Sequence, residues 1–195
     1  MMTARRDIVM YAGLAVVLAA GLVVLFFVGP RWLSTTPADN APETAATADA
    51  RKIRARLFYV DPDGEHLTAV EQEVPYGEGT IEQAKRIVEA ALATPPAPYL
   101  SAIPAGTTLK ALYLTSKGEA YVDLSPELQK NHPGGTTSET LTVYALVNTL
   151  TSNLPAITGV QLLIDGKEID TLAGHLDLRL PLEQNLTYAN LQSNP

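Results

Sequence analysis

The sequence predicts an α+β domain placed behind a single N-terminal transmembrane helix. Three observations lead to this fold class: one uncharged hydrophobic segment near the start, an order of strands and a helix that occurs twice, and one long helix with an apolar face. The predicted element order is ββα-ββα-ββ. Its simplest architecture is a two-layer domain in which two main helices cover one face of one mixed β-sheet.

The hydrophobic segment spans residues 8–28 and contains no charge over 21 residues. At a rise of 1.5 Å per residue it is long enough to cross a hydrocarbon core of roughly 30 Å. Cleaved signal peptides have a shorter apolar core of roughly 7–15 residues followed by small residues, whereas this segment ends in Phe26, Phe27 and Val28. Lipid attachment would need a cysteine, and the chain has none. We therefore expect a retained single-pass anchor.

The charges around this segment predict its orientation. Arg5 and Arg6 precede it, and only Arg31 follows closely. Because positive residues favour the cytoplasmic side, residues 1–7 are predicted to be cytoplasmic and the rest extracytoplasmic, at the cell inner membrane. Residues 34–50 contain almost no apolar side chain larger than alanine, and residues 30–51 are expected to form a flexible linker.

The part of the chain after Arg31 is acidic, with 11 Lys+Arg against 20 Asp+Glu. This balance argues against nucleic acid or an anionic lipid surface as a partner. Without cysteine, the stability of the domain must come from packing rather than from disulfides.

The domain is predicted over residues 52–186, with a C-terminal tail at 187–195. It begins with a hairpin, because residues 52–60 and 67–74 have strand character around the turn dipeptide Asp63-Gly64. Thr80 and Gln83 then form a capping box that predicts a helix. Its buried face would hold Ile81, Ala84, Val88, Ala91 and Leu92.

Four prolines between residues 95 and 104 require an extended connection to the second half. A second hairpin follows, with strands at 108–116 and 119–125 around Lys117-Gly118, and a short helical turn at 126–130. A last strand at 160–165 turns at Asp165-Gly166 and continues to residue 172. The following residues are expected to be irregular and to lie across the domain.

The two halves repeat a short motif in which a Gly-Glu turn precedes a Gly-Thr-x-x-Gln/Glu helix start. The pairs are Gly64-Glu65 with Gly79-Thr80, and Gly118-Glu119 with Gly135-Thr136. Neither half could bury its hydrophobic face alone, so the halves are predicted to share one core.

The long helix organises the second half. Thr136 and Glu139 form a capping box that predicts a start near Thr137, and Pro155 ends the helix. One face is apolar and is expected to be buried, with Val143, Leu146, Val147, Leu150 and Leu154. The opposite strip is small and uncharged, with Ser138, Thr142, Ala145, Thr149 and Ser152. Such a strip is either only solvated or a contact surface, and its four hydroxyl residues are candidate binding residues.

The pattern of chemically active residues points away from known catalytic motifs. His66, His132 and His175 are the only histidines, and none is spaced from another as a metal-binding pair would be. The sequence has no G-x-S-x-G motif, P-loop or dinucleotide fingerprint. No metal or cofactor is therefore predicted. Although Asp123, Ser125 and His132 lie close in sequence, Ser125-Pro126 more simply begins a helix.

Four polar residues have specific expected roles. Glu139 is assigned to the capping box rather than to catalysis, and Asn148 and Thr149 are expected to bond a neighbouring loop. The fourth residue, His175, lies in a C-terminal loop and is a candidate binding residue. A histidine that only fastens the tail is the alternative.

Together, AYVDLS and HPGGTTSETLTVYALVNTLTSNLPAITGVQLLIDGKEIDTLAGHLDLRLPL resemble the sporulation and spore germination (GerMN) domain family. The resemblance covers residues 54–186 and is densest from 121 to 182. It implies a non-catalytic, membrane-tethered domain of the bacterial envelope, similar in build to ring-building modules of sporulation channels. The family supplies no established catalytic residues. This chain differs from many members by its single copy and its transmembrane anchor, which argues against a spore-specific role.

The resulting functional prediction is a non-enzymatic domain that works by protein or cell-wall contact. Its partner would be an envelope protein, peptidoglycan or a second copy of the chain. The alternative is an envelope hydrolase that acts on peptidoglycan through His175 and a carboxylate, either Glu139 or Asp123.

Overall fold

The structure is a computed structural model that describes residues 51–190. The predicted anchor at 8–28, almost all of the linker and the last five residues of the chain lie outside the described residues. Among residues 51–190, no helix combines the length and apolarity needed to cross a membrane.

The described chain follows the predicted element order. The first half contains β1 (Lys52–Val60), β2 (Leu67–Pro75) and α1 (Gly79–Leu92). The second half contains β3 (Leu109–Leu114), β4 (Glu119–Leu124), α2 (Glu127–Lys130) and α3 (Thr136–Asn153). Then follow β5 (Gly159–Ile164), β6 (Lys167–Glu168), a 3-10 turn (Leu186–Tyr188) and β7 (Ala189–Asn190). The last strand lies beyond the predicted domain end at 186.

The strands form two sheets, so the prediction of one mixed sheet is wrong. The first sheet has the order β1-β2-β7, with β1 and β2 antiparallel and β7 parallel to β2. The second sheet has the order β3-β4-β5-β6 and is mixed, because β4 and β5 are parallel. Helix α3 provides the crossover between these two parallel strands.

The outer edge of β1 explains why the sheets do not merge. The Arg56 backbone N–H donates to Asn153 Oδ1 at 2.8 Å, and Asn153 Nδ2 donates to the Arg56 carbonyl at 2.7 Å. The Phe58 N–H donates to Thr149 Oγ1 at 3.2 Å. Val60 also bridges to Leu100 in the proline-rich connection. Side chains of α3 thus satisfy backbone groups that another strand would otherwise satisfy.

The central helix α3 is enclosed by the rest of the domain. All twelve residues from Glu139 to Leu150 are buried, on every side of the helix. The strands that contact α3 include β1 and the fully buried β5. The prediction of one packed face and one open face is therefore wrong for the middle of this helix.

The main core joins α3 to residues of both sheets. Apolar side chains of the second sheet contribute to this core from neighbouring strands: Ala120, Val122 and Leu124 of β4, with Val160, Leu162 and Ile164 of β5. Phe58, Val60 and Leu67 contribute from the first sheet. A smaller cluster packs Ile87 of α1 against the first hairpin. Its other members are Ala55, Leu57 and Tyr59 of β1 and Val74 of β2. The two halves therefore share a core, as predicted.

Turn chemistry is confirmed, and helix capping is not. Asp165 and Gly166 adopt φ of 51° and 72° between β5 and β6, as a two-residue hairpin turn requires. In contrast, neither predicted capping box forms, since the N-caps of α1 and α3 are Glu78 and Gly135 and neither makes a side-chain cap bond. Ile81, placed on the buried face of α1, is 41% exposed.

Candidate functional site

The candidate site is the loop that follows β6, together with the start of α3. Glu139 lies in the first turn of α3, and its side chain is completely buried. Its Oε1 accepts the backbone N–H groups of Leu172 and Ala173 at 2.8 and 2.9 Å. Its Oε2 accepts the N–H of His175 at 2.8 Å and lies 3.1 Å from His175 Nδ1. One carboxylate therefore holds three residues of this loop in place.

This use of Glu139 replaces the predicted capping box. The carboxylate points away from the start of its own helix because the loop offers it three backbone donors and an imidazole. In the first half of the repeat, Gln83 has the corresponding place. It accepts the Gly77 N–H at 2.9 Å and donates to the Pro75 carbonyl at 3.3 Å. The motif thus marks a side chain that fixes a loop in both halves.

The surroundings of Glu139 determine its charge. Burial by itself would raise the pKa of this carboxyl, but the backbone N–H groups of Ala173, His175 and Leu172 outweigh burial and lower the pKa below its ordinary value. Glu139 is therefore an anion at neutral pH. Since an ionised carboxylate only accepts hydrogen bonds, Nδ1 of His175 carries the hydrogen in this contact.

His175 is presented to solvent by this arrangement, with 42% of its side chain exposed. The contact through Nδ1 leaves Nε2 as the atom that can meet a ligand. Chemically, the site is a polar loop that exposes one oriented imidazole. The carboxylate that orients this imidazole already accepts hydrogen bonds from four donors. The structure brings together the pair on which the hydrolase alternative depends, His175 and Glu139.

The other predicted catalytic groups have separate structural partners. Asp123 Oδ1 accepts the Gly166 N–H at 2.7 Å, and Ser125 Oγ accepts the Thr108 N–H at 3.0 Å. His132 Nε2 lies 3.2 Å from Thr142 Oγ1 instead. Within residues 51–190, no group of three or more His, Asp or Glu side chains could hold a metal ion.

The hydroxyl residues of the predicted contact strip divide into two groups. Thr142 and Thr149 are buried, with exposed fractions of 2% and 0%. Thr142 Oγ1 donates to the Ala102 carbonyl at 2.6 Å, while Thr149 accepts from Phe58 on the edge of β1. These two positions cannot form an open binding face, because α3 is packed on this side as well. That part of the prediction is corrected.

Ser138 and Ser152, at the two ends of the strip, are partly exposed. Ser152 Oγ accepts from Gln184 Nε2 at 2.7 Å, so the C-terminal segment runs past it. The structure does not join the five predicted binding residues into one surface. Of these five residues, only His175 is bonded to Glu139.

The C-terminal segment contacts α3 through residues that no sequence motif indicated. Asn148 is fully buried in α3; its Nδ2 donates to the Asn185 carbonyl at 2.8 Å, and its Oδ1 accepts the Asn185 N–H at 2.9 Å. The rings of Tyr144 and Tyr188 stack with centroids 5.4 Å apart. The expectation that Asn148 bonds a neighbouring loop is confirmed. Its mid-helix amide was the signal for this contact.

Comparison with protein families gives one match to this chain. The family described as sporulation and spore germination (Germane) matches residues 56–170, which is more than half of the 195 residues. A comparison with curated protein sequences finds no match.

Two solved structures resemble the fold. One is the first GerMN domain of the sporulation protein GerM from Bacillus subtilis, at 23% identity and a TM-score of 0.53, covering 67% of this chain and 97% of that one. The other contains the tandem GerMN domains of the same protein, at 21% identity and a TM-score of 0.52. The match covers 67% of this chain but only 46% of the tandem structure. Both likenesses concern the fold.

Proposed function

The chain belongs to the sporulation and spore germination family, and from this membership we propose that it is a non-catalytic interaction module of the bacterial envelope. Residues 8–28 anchor it in the inner membrane, and residues 30–51 hold the domain away from the membrane on the outer side. Its partner is an envelope protein or peptidoglycan. A link to sporulation or germination is part of the same proposal.

The observation that carries this proposal is that the Glu139 carboxylate already accepts four hydrogen bonds from its own domain. A general base needs a free lone pair and a pKa near the working pH. Glu139 has a lowered pKa and accepts from three backbone N–H groups and from His175 Nδ1. This supports a carboxylate that shapes a rigid recognition loop, with His175 as its exposed contact residue.

The orientation is tested with a reporter that is active only outside the cytoplasm, fused after Pro195. We expect activity from the full chain. The same fusion without residues 1–30 should be inactive, because it lacks the membrane segment. An inactive full-length fusion, together with activity of the full chain fused to a reporter that works only in the cytoplasm, would reverse the proposed topology.

Partner binding is tested by cross-linking the full chain in membranes and comparing His175→Ala with the parent. We expect the variant to lose its cross-linked partner while its melting temperature changes little, because the backbone N–H bonds to Glu139 remain. His66→Ala is the matched control, since this histidine is also exposed, with 47% of its side chain accessible, and lies 3.9 Å from the Asp61 carboxylate. Equal cross-linking by the parent and His175→Ala would remove His175 from the binding surface.

A second candidate function is the envelope hydrolase, favoured by the contact of 3.1 Å between His175 Nδ1 and Glu139 Oε2. A carboxylate that orients a histidine in this way is part of hydrolytic triads. Incubation of the purified full chain with peptidoglycan decides between the interaction module and the hydrolase. Release of muropeptides that His175→Ala abolishes would establish the hydrolase, and unchanged muropeptides would eliminate it.

A further inference from the structure

We propose that the outer face of the second sheet binds the uncharged glycan strands of peptidoglycan through Tyr113 and Tyr121. This inference rests on the proposed function, because it selects one of the two partner classes named there and assigns a contact surface to it. The tyrosine face is defined here by Tyr113 of β3, Tyr121 of β4 and Gln161 of β5, on the side of the sheet that is turned away from α3.

Alternation along the strands places these three side chains on one face. Each of them lies next to a residue of the main core in its own strand: Leu112, Val122 and Leu162. Since successive side chains of a strand point to opposite faces, the members of the tyrosine face project away from that core. The register pairs Tyr113 with Tyr121 and Tyr121 with Gln161, so the three side chains form one row across the sheet.

The row is covered at one end and exposed at the other. Gln161 is only 2% exposed, and its Nε2 donates to the carbonyl of Leu178 in the C-terminal segment. Tyr121 is partly exposed, and 59% of Tyr113 is exposed. Within residues 51–190, the tyrosine face is therefore accessible over β3 and β4.

The two tyrosines do not lie beside an end of the described chain. At the first described residue, the Arg51 carbonyl accepts the Tyr76 N–H at 2.8 Å, next to the end of β2. At the last, Asn190 pairs with Thr68 at the start of β2. Both ends thus adjoin the first sheet, whereas the tyrosine face belongs to the second.

The chemistry of the tyrosine face fits a neutral sugar. A phenol ring presents an apolar surface that stacks on the C–H groups of a pyranose ring, while its hydroxyl bonds sugar hydroxyl or acetamide groups. The three members of the face carry no charge. Charged residues that flank them in the strands are already bonded within the domain: Lys110 pairs with Asp165, and Glu119 and Asp123 both accept hydrogen bonds.

The charge of the whole domain argues against anionic polymers as the occupant. Residues 51–190 contain 17 Asp+Glu against 11 Lys+Arg. A domain with this excess of carboxylates repels a polyanion and has no such effect on an uncharged glycan.

The size of the accessible area distinguishes a sugar chain from a protein partner. The accessible part is two strands wide and six residues long, which corresponds to roughly 10 by 20 Å, or about 200 Å². A stable protein interface covers roughly 800 Å² on each partner. A linear glycan, which is one sugar ring wide, fits such a narrow strip along its length.

The test is calorimetric titration of the full chain, in micelles of a detergent without sugar head groups, with chitohexaose. This probe is an uncharged chain of six N-acetylglucosamine rings, the sugar that alternates along the glycan strands of peptidoglycan. We expect saturable binding that Tyr113→Ala weakens about tenfold, since this change removes one of two stacking rings. Tyr113→Phe keeps the ring and should lose less than about threefold.

The matched control is Leu100→Ala, which removes an exposed apolar side chain, 52% accessible, from the proline-rich connection. It should bind chitohexaose as the parent does, and neither alanine variant should change the melting temperature much, because both side chains are exposed. Absence of saturable binding, or equal affinities of the parent and Tyr113→Ala, would overturn the inference.

A protein partner at the same face is separated from a glycan by photo-cross-linking. A photo-reactive phenylalanine in place of Tyr113, in the full chain in intact cells, should capture peptidoglycan fragments. Capture of a protein without glycan would overturn the inference in favour of a protein partner.

These results are separable from those on the proposed function. Cross-links that depend on His175, together with no binding of chitohexaose, would remove only the tyrosine face. Chitohexaose binding that depends on Tyr113, with unaltered cross-linking by His175→Ala, would remove only the His175 surface.

Discussion

At the scale of single residues, Glu139 determines how the C-terminal loop is held. A buried carboxylate is unfavourable unless donors surround it, and here three N–H groups and one imidazole do so. The anion therefore stabilises the fold at neutral pH. Replacement of Glu139 by glutamine tests this role, because the amide nitrogen has the same position as a carboxylate oxygen but cannot accept a hydrogen bond.

We expect Glu139→Gln to lower the free energy of unfolding at pH 7 by roughly 1–3 kcal/mol, because at least one buried N–H loses its acceptor. The folded-state pKa of Glu139 is below its ordinary value of 4.5. Its stabilising effect is therefore full above about pH 4.5 and is lost as the pH falls through the folded-state pKa. Urea denaturation from pH 7 to pH 3 measures this effect. The difference in the free energy of unfolding between the parent and Glu139→Gln should narrow below about pH 4.5.

The control for this prediction is Glu65→Gln in the exposed turn between β1 and β2. It should change stability by less than about 0.5 kcal/mol at each pH. A difference between the parent and Glu139→Gln that stays constant down to pH 3 would contradict the structural role of the anion.

At the scale of elements, α3 is a helix whose polar side chains stabilise a strand edge. Thr149 is an example, because its hydroxyl accepts the Phe58 N–H in a fully buried position. Ser152 lies one turn further on and is partly exposed. The two residues belong to the same small-residue strip, but their surroundings differ.

We expect Thr149→Lys to lower stability by more than about 3 kcal/mol or to prevent folding, because it buries a charge and leaves the Phe58 N–H without an acceptor. Ser152→Lys should cost less than about 1 kcal/mol, since it loses one exposed bond to Gln184. Thermal unfolding of both variants measures the contrast. Thr149→Val keeps the shape and should lie between them, and similar melting temperatures for both lysine variants would contradict the burial of Thr149.

Local sequence signals predicted the elements well, and long-range packing explains where they failed. Turns such as Asp165-Gly166 follow from the conformations that neighbouring residues allow, and the strands around them follow from alternation. The partner of Glu139 could not be predicted in this way, because its acceptor role depends on a loop more than thirty residues away. Its place on the apolar side of α3 was the available signal. The capping rule gave a local explanation for it, and that explanation was wrong.

No local sequence signal indicated that the strands divide into two sheets. The edge of β1 is bonded by Asn153, 97 residues away. Periodicity identifies which residues face a core, but it does not identify which strand edges are bonded by side chains. The prediction of an open strip on α3 failed for a related reason, since Thr149 bonds that edge and Thr142 bonds the Ala102 carbonyl.

At the scale of the whole molecule, the C-terminal segment connects all parts of the domain. Leu182 bridges to Val160 in the second sheet, Asn185 bonds Asn148 in α3, and Ala189 pairs with Leu67 in the first sheet. No other segment of the described chain after β5 reaches both sheets. Its removal should therefore affect the first sheet most.

We expect deletion of residues 184–195 to lower stability by at least about 2 kcal/mol, because the buried Asn148 amide loses both partners and Tyr144 loses its stacked ring. Hydrogen exchange should accelerate at the start of β2, where β7 is lost. Leu180→Ala is the control, since this side chain is 75% exposed and should change stability by less than about 0.5 kcal/mol. Unchanged exchange in β2 after the deletion would show that β7 does not stabilise that strand.

The bond between Arg56 and Asn153 also has a consequence for how the protein is made. The chain emerges from its N-terminus, so the first hairpin leaves the ribosome well before the residues that bond its outer edge. Synthesis proceeds at roughly 5–20 residues per second, and the separation of 97 residues therefore corresponds to a delay of roughly 5–20 seconds. Contacts between distant parts of a chain also form slowly. During this interval the outer edge of β1 lacks the bonds from α3, and it is the edge that a chaperone would have to cover.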